Sequence, residues 1–190
     1  IMPNIIDGFL SNESNTVIKM KVANTRELLN YMNEGTIDFA FVEGYFNKLE
    51  YDFLHYCQEK YVCVASSDFK LDHVEDVSEL FKYNLITREV GSGSREIIER
   101  YLGDRNLSVD DFVNLIEISN INTIKQLVKN NHGISFMYKI AVEKELKSGL
   151  LKEIDIAGLS IEHDINFVWR KNSAFIDYYQ QLFKLFFVYR

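Results

Sequence analysis

Apolar residues recur along this chain in two rhythms that keep exchanging places, one every third or fourth residue and one every second residue, with polar breaks between them. Residues 3–12 carry Ile5, Ile6, Phe9 and Leu10 on one helical face, and a polar break follows over 11–15. From 17 to 23, Ile18, Met20 and Val22 alternate with Lys19 and Lys21, which predicts a strand with one wet face. Asn24 then stands where it can cap a helix, with Glu27 placed to complete a capping box. Leu28, Leu29 and Met32 form the apolar stripe, and Gly35 stops it. The run Phe39-Ala40-Phe41-Val42 is apolar throughout, as in a strand covered on both faces, and it emerges at Glu43-Gly44. Two more strands are predicted near 51–58 and 60–66, closed by the polar stretch Ser66-Ser67-Asp68.

The alternation continues in the second half. A helix over 77–81 leads to the strand Leu85-Ile86-Thr87, and a glycine-serine loop leads to a helix starting near Ser94. Asn114 to Ile118 reads as a strand, and Asn120 to Thr123 opens a helix with Ile121, Ile124, Leu127 and Val128 on one face. Strands follow at 134–138, 151–156 and 165–169, with a helix over 141–147 stopped by Gly149. Ser173 can cap the last helix, whose face of Phe175, Ile176, Tyr179, Leu182, Phe183, Phe186 and Phe187 must be covered by a sheet or a partner chain. The class is therefore α/β, with mostly parallel sheets expected. Polar breaks at 66–68 and 157–160 divide it into two lobes joined by two crossovers, 1–66 plus 159–190 and 67–158, with a cleft between them. Gly158 and Ser66-Ser67 are the expected hinges.

Composition narrows the field. The 190 residues are 47% hydrophobic and 14% aromatic, enough for a buried core. Their 28 acidic against 21 basic residues give a net charge of -7, which opposes a surface for nucleic acid. Cys57 and Cys63 are read as reduced packing residues, and no run approaches the roughly 18 apolar residues of a membrane span. The chain opens at Ile1-Met2-Pro3 within a predicted helix and reads as a piece of a longer protein.

The candidate chemistry centres on Arg88-Glu89-Val90-Gly91-Ser92-Gly93-Ser94-Arg95, set between a strand and a helix. A helix start offers unpaired N–H groups and partial positive charge, glycines permit close approach, and Ser92, Ser94 and Arg95 add donors. This arrangement makes either an anion cradle or a tight turn whose serines only cap the helix. It fits neither nucleotide signature: no Lys follows the last glycine, and Ile97 stands where a dinucleotide loop needs a third glycine. Polar groups also gather at the strand-to-helix turns of Thr25, Val42-Glu43 and Asn120-Ile121, at the edge where open α/β sheets take ligands. Glu43 is open to several roles: an ordinary solvated carboxylate, a ligand for a cation or donor, or an internal partner of Arg88 or Arg95. The histidines, His55, His73, His132 and His163, lie outside the loop motifs and lack zinc-protease spacing. No catalytic group, metal or cofactor is expected.

Several of these stretches together resemble the effector-binding domain of LysR-type transcriptional regulators. They are Val22 to Leu28, Gly35 to Gly44, Arg88 to Arg95, Ile118 to Val128 and Gly133 to Met137. The resemblance implies a type-II periplasmic-binding-protein-like fold of two Rossmann-like lobes, a small-molecule effector in the cleft, and homodimers or homotetramers. It implies that DNA is bound only through an N-terminal winged helix-turn-helix and linker helix, absent here together with the first strand of lobe I. A cytoplasmic protein without membrane contact is expected. Effector contacts are implied at Thr25, Val42, Glu43, Gly91, Ser92, Gly93, Ser94, Arg95, Asn120 and Ile121. The opposition of cradle and Glu43 suggests a small polar or zwitterionic metabolite, or a simple anion if Glu43 pairs internally. A solute-binding protein of a transport system would share this fold and is the alternative.

Overall fold

A computed structural model describes residues 2–12 and 17–188. The helices are α1 (Met2–Asn12), α2 (Thr25–Asn33), α3 (Gly93–Gly103), α4 (Ile121–Lys129), α5 (Lys139–Lys147) and α6 (Ile176–Val188). The strands are β1 (Phe39–Val42), β2 (Tyr51–Ser66), β3 (His73–Val74), β4 (Asn84–Thr87), β5 (Asn114–Glu117), β6 (Ser135–Tyr138), β7 (Leu151–Ile156) and β8 (Ile161–Arg170). Two compact units result, one of residues 1–42, 46–55 and 166–190, the other of 43–45 and 56–165. The chain passes between them at 42–43, at 45–46, within β2 and within β8. The polar breaks at 66–68 and 157–160 both fall inside the second unit, at the ends of β2 and β7.

In the first unit, the capping box fixes the start of α2: Glu27 N–H donates to Asn24 Oδ1 at 3.0 Å, and Asn24 N–H reaches back to Glu27. Strand β1 pairs antiparallel with β8, Phe39 opposite Trp169 and Phe41 opposite Phe167. Its alternate residues serve two layers. Ala40 and Val42 pack with Met32 of α2, Tyr51 and Val168, while Phe39 and Phe41 meet Phe167 and Phe186 of α6 at ring-centroid distances of 4.9 to 6.0 Å. Tyr179, Leu182 and Phe186 of the apolar face of α6 are thus buried, while Phe187 and, just ahead of the helix, Phe175 stay exposed. Ser173 prepares that helix by accepting the Phe175 N–H at 3.2 Å.

The second unit divides its core the same way. Cys63, Leu85 and Phe136 face a cluster with Ile98 and Leu102 of α3, and the adjacent Val64, Ile86 and Met137 face Ile124 and Val128 of α4 and Val142 of α5. Strand β4 pairs parallel with β5, Thr87 opposite Glu117, and β3 pairs parallel with β7.

Several expectations are corrected. Pairing in the larger sheet is mostly antiparallel, because β2 lies between β6 and β7 and runs against both. The β6-α5-β7 periodicity reveals two strands of like direction, but not the strand inserted between them. The strands expected at 51–58 and 60–66 form the single β2. The segment 77–81 is a short 3-10 turn, Val77–Leu80, opened by Asp76. Residues 17–23 form no ladder among the described residues, leaving Val17 and Val22 more than four-fifths exposed. Of the break expected at 11–15, Ser11 and Asn12 are helical, and the remainder lies outside the described residues.

Candidate functional site

Because β4 and β5 are parallel, the turns that follow them leave the same sheet edge. After Thr87 the chain folds back at Gly91, φ +96°, and the Ser92 N–H donates to the Glu89 carbonyl at 3.1 Å. Ser92 precedes α3 with extended backbone, but its hydroxyl makes no capping bond; it is completely buried and its Oγ has no hydrogen-bond partner among the described residues. Capping does not explain this serine. Asn120 does cap: its Oδ1 accepts the Thr123 N–H at 3.0 Å at the start of α4, and Ile121 packs onto the neighbouring core.

The glycine of the α3 start is explained by chain packing. A β-carbon on Gly93 would collide with the Glu43 carbonyl oxygen, and one on Gly44, φ +83°, would lie 2.6 Å from the Gly93 α-carbon. Glu43-Gly44 thus packs directly onto the first turn of α3 within the second unit. There the half-buried Glu43 carboxylate accepts the Ser94 backbone N–H. Desolvation raises its pKa above the ordinary carboxylate value, against the opposing pull of Arg88 and the Ser94 N–H, while Glu89 adds to the rise.

Two tyrosines that the sequence did not single out complete this cluster. Tyr61 of β2 and Tyr138 of β6 are direct cross-strand neighbours, their rings edge to face at 5.5 Å. The Tyr61 hydroxyl donates to the Ser94 carbonyl at 2.6 Å and lies 3.2 Å from that of Phe136, whereas the buried Tyr138 hydroxyl has no partner. Burial, with the Glu43 charge nearby, pushes both phenols above their ordinary range and keeps them neutral. Only the long-range register of β2 and β6 brings them together, so no local pattern announces them.

The arginines are already committed. Arg88 holds Glu89 with two parallel bonds of 2.9 and 3.1 Å. Arg95, 7% exposed, donates to Glu99 at 2.6 Å, to Glu117 at 2.5 Å and to the Arg88 carbonyl at 3.3 Å. Glu43 and Gly91 through Arg95 are therefore assembled in one place. In the first unit, Val42 is a core side chain packed with Met32 and Tyr51, and Thr25 is buried at the first position of α2. A shallow open depression beside α3 is lined instead by Tyr45, Glu96, Glu99, Arg100, Gly103 and Asp104, with the Arg100 guanidinium 3.5 Å from the Tyr45 ring centre. Among the described residues there is no group of three or more His, Cys, Asp or Glu placed to hold a metal, and no helix is long and apolar enough to cross a membrane.

Two α/β units, with polar turns at a carboxyl sheet edge, define the architecture of a type-II periplasmic-binding-protein-like domain. The chain belongs to the LysR substrate binding domain family, whose profile matches residues 1–184. Among its relatives, the transcriptional activator CmpR of Synechocystis is 24% identical over 186 residues, covering 93% of this chain and 60% of CmpR. The transcriptional regulator CbbR of Rhodospirillum rubrum is 27% identical over 162 residues, covering 85% of this chain and 53% of CbbR. The chain thus spans little more than half the length of these regulators. Among solved structures, the regulatory domain of Synechocystis CcmR in complex with 2-PG matches with a TM-score of 0.84 at 18% identity, covering all of this chain and 91% of that one. The effector-binding domain of QuiR in complex with shikimate matches at 0.75 and 20%, covering 97% and 87%. These likenesses support the same fold.

Proposed function

We propose that this chain is the effector-binding regulatory domain of a LysR-type transcriptional regulator, taking a small polar or anionic metabolite and so controlling an N-terminal DNA-binding domain. The observation that carries the reading is the buried, unpartnered Ser92 hydroxyl beside the first turn of α3. Such a group is costly to bury unless a ligand or an ordered water satisfies it. In this reading Glu43, Gly91, Ser92, Gly93, Ser94, Asn120 and Ile121 form the effector site, and Thr25 and Val42 are proposed as further effector contacts. Arg95, locked by Glu99 and Glu117, shapes the turn rather than meeting the ligand. The complexes of CcmR with 2-PG and QuiR with shikimate support a small molecule as effector. The regulators among the relatives favour this role over solute capture for a transporter and over catalysis. The intact protein acts in the cytoplasm as a homodimer or homotetramer, and effector binding shifts its population of conformations.

The test is a thermal-shift screen of this domain against small carboxylates, oxyanions and amino compounds, since a ligand bound only by the folded state raises Tm. A saturable rise that Ser92→Ala or Thr25→Ala abolishes is the expected result. A rise that both variants leave unchanged would place the binding site elsewhere.

A further inference from the structure

The first turn of a helix is where an anionic ligand is most readily received, through free N–H groups and partial positive charge. In α3 that seat is already taken by the protein's own anion, the Glu43 carboxylate, which accepts the Ser94 N–H. It cannot easily withdraw, because the Glu43 carbonyl and Gly44 backbone are wedged against Gly93. Nor do nearby cations restore an anion site. Arg88 is bidentate to Glu89, and Arg95 is shared between Glu99 and Glu117, so two guanidinium groups stand against four carboxylates, Glu43 included. Beside Glu43 lie two buried hydroxyls without partners among the described residues, Ser92 Oγ and the Tyr138 phenol, each able to donate or to accept, so the Glu43 carboxylate sets the charge preference of the turn.

We propose that Glu43 makes this turn selective for an effector group that donates hydrogen bonds, an ammonium or a hydroxyl, and turns away simple anions. The proposal rests on the effector-site reading and names the chemistry of that site. An ammonium has three donors and no acceptor, so a carboxylate and the lone pairs of a hydroxyl suit it, whereas a sulfate can use only the hydroxyl's single O–H. A sulfate placed there faces the Glu43 charge in a partly desolvated setting, where like charges repel more strongly than in water.

The decisive experiment follows the backbone amide resonances of Ser94 and Arg95 by NMR during titration with ethanolamine and, separately, with sodium sulfate, in the wild-type domain and in Glu43→Gln. Glutamine keeps the shape and the acceptor for Ser94 but removes the charge, and unchanged spectra elsewhere verify the fold. In the wild type, ethanolamine should saturate and sulfate should not. In Glu43→Gln, ethanolamine should weaken by at least about tenfold and sulfate should gain by a similar factor. Ser92→Ala should weaken ethanolamine without admitting sulfate. Sulfate saturating the wild type, with ethanolamine indifferent to Glu43→Gln, overturns the selectivity while leaving the turn a ligand site. If neither probe moves these amides in either protein, the turn is not the effector site and the proposal falls with that reading.

Discussion

Gly44 and Gly93 meet backbone to backbone, so closely that a β-carbon on the first would stand 2.6 Å from the α-carbon of the second. This contact, inside the second unit, sets Glu43-Gly44 against the start of α3, and it limits where Glu43 can reach. Gly93 has no unusual backbone angle to protect, so its need for glycine is purely steric. Gly93→Ala must push the Glu43 carbonyl away, an overpacking that typically costs about 1–3 kcal/mol. Urea unfolding should show a loss near the upper end of that range. Gly103, where an added β-carbon meets open space and the backbone is helical, is the control: Gly103→Ala should be neutral or slightly stabilising. Equal effects at the two positions would rule out the close approach as the cause.

Arg95 shows how burial and pairing combine. Its side chain is 8% exposed, while its partners Glu99 and Glu117 are 40% and 49% exposed. Removing one member of a fully buried pair costs roughly 3–5 kcal/mol, but here the abandoned carboxylates regain water. Arg95→Met should therefore destabilise by about 2 kcal/mol, read as a lower urea midpoint at unchanged slope. Arg95→Lys should recover only part of this loss, since one ammonium cannot span two carboxylates and the Arg88 carbonyl as the guanidinium fork does.

The elements whose causes are local were legible before the fold was known. Asn24 and Glu27 predicted the capping box that opens α2, and the apolar run 39–42 predicted a strand covered on both faces; both are observed. Ser92 illustrates the limit. Its position suggested either a helix cap or a ligand group, and only the three-dimensional structure reveals a buried hydroxyl that does not cap. Tyr61 and Tyr138 could not be foreseen because 76 intervening positions say nothing about the register that makes them neighbours. The same holds for 17–23, whose alternation is a strand's but whose partner no local rule supplies.

Glu43 links this site to pH. Its pKa in the folded state lies above 4.5, mainly through desolvation, so the folded protein holds this proton more tightly than the unfolded chain. By linkage, the stability it contributes is fully present below pH 4.5 and is lost as pH rises through the folded-state value. Once ionised, the carboxylate is a net burden on folding. Glu43→Gln should then raise Tm at pH 7 and leave it nearly unchanged near pH 4. A variant less stable than wild type at pH 7 would mean that Arg88 and the Ser94 N–H outweigh desolvation.

The aromatic layer of the first unit gives a stability prediction independent of the site. Phe167 is completely buried, and its ring lies 4.9 to 5.7 Å from those of Phe39, Phe41, Trp169, Phe183 and Phe186. Truncating such a residue removes its transfer free energy and leaves a cavity that surrounding rings fill poorly, so Phe167→Ala should cost about 3–5 kcal/mol. Phe175, just ahead of α6, is 64% exposed although it belongs to the same apolar stripe in sequence. Little of its surface leaves water in this unit, and Phe175→Ala should change stability by no more than about 0.5 kcal/mol. Urea unfolding of the two variants separates position on the stripe from actual burial. Similar losses at both would mean that Phe175 is covered in solution, as by a second copy of the chain, and its effect should then depend on protein concentration.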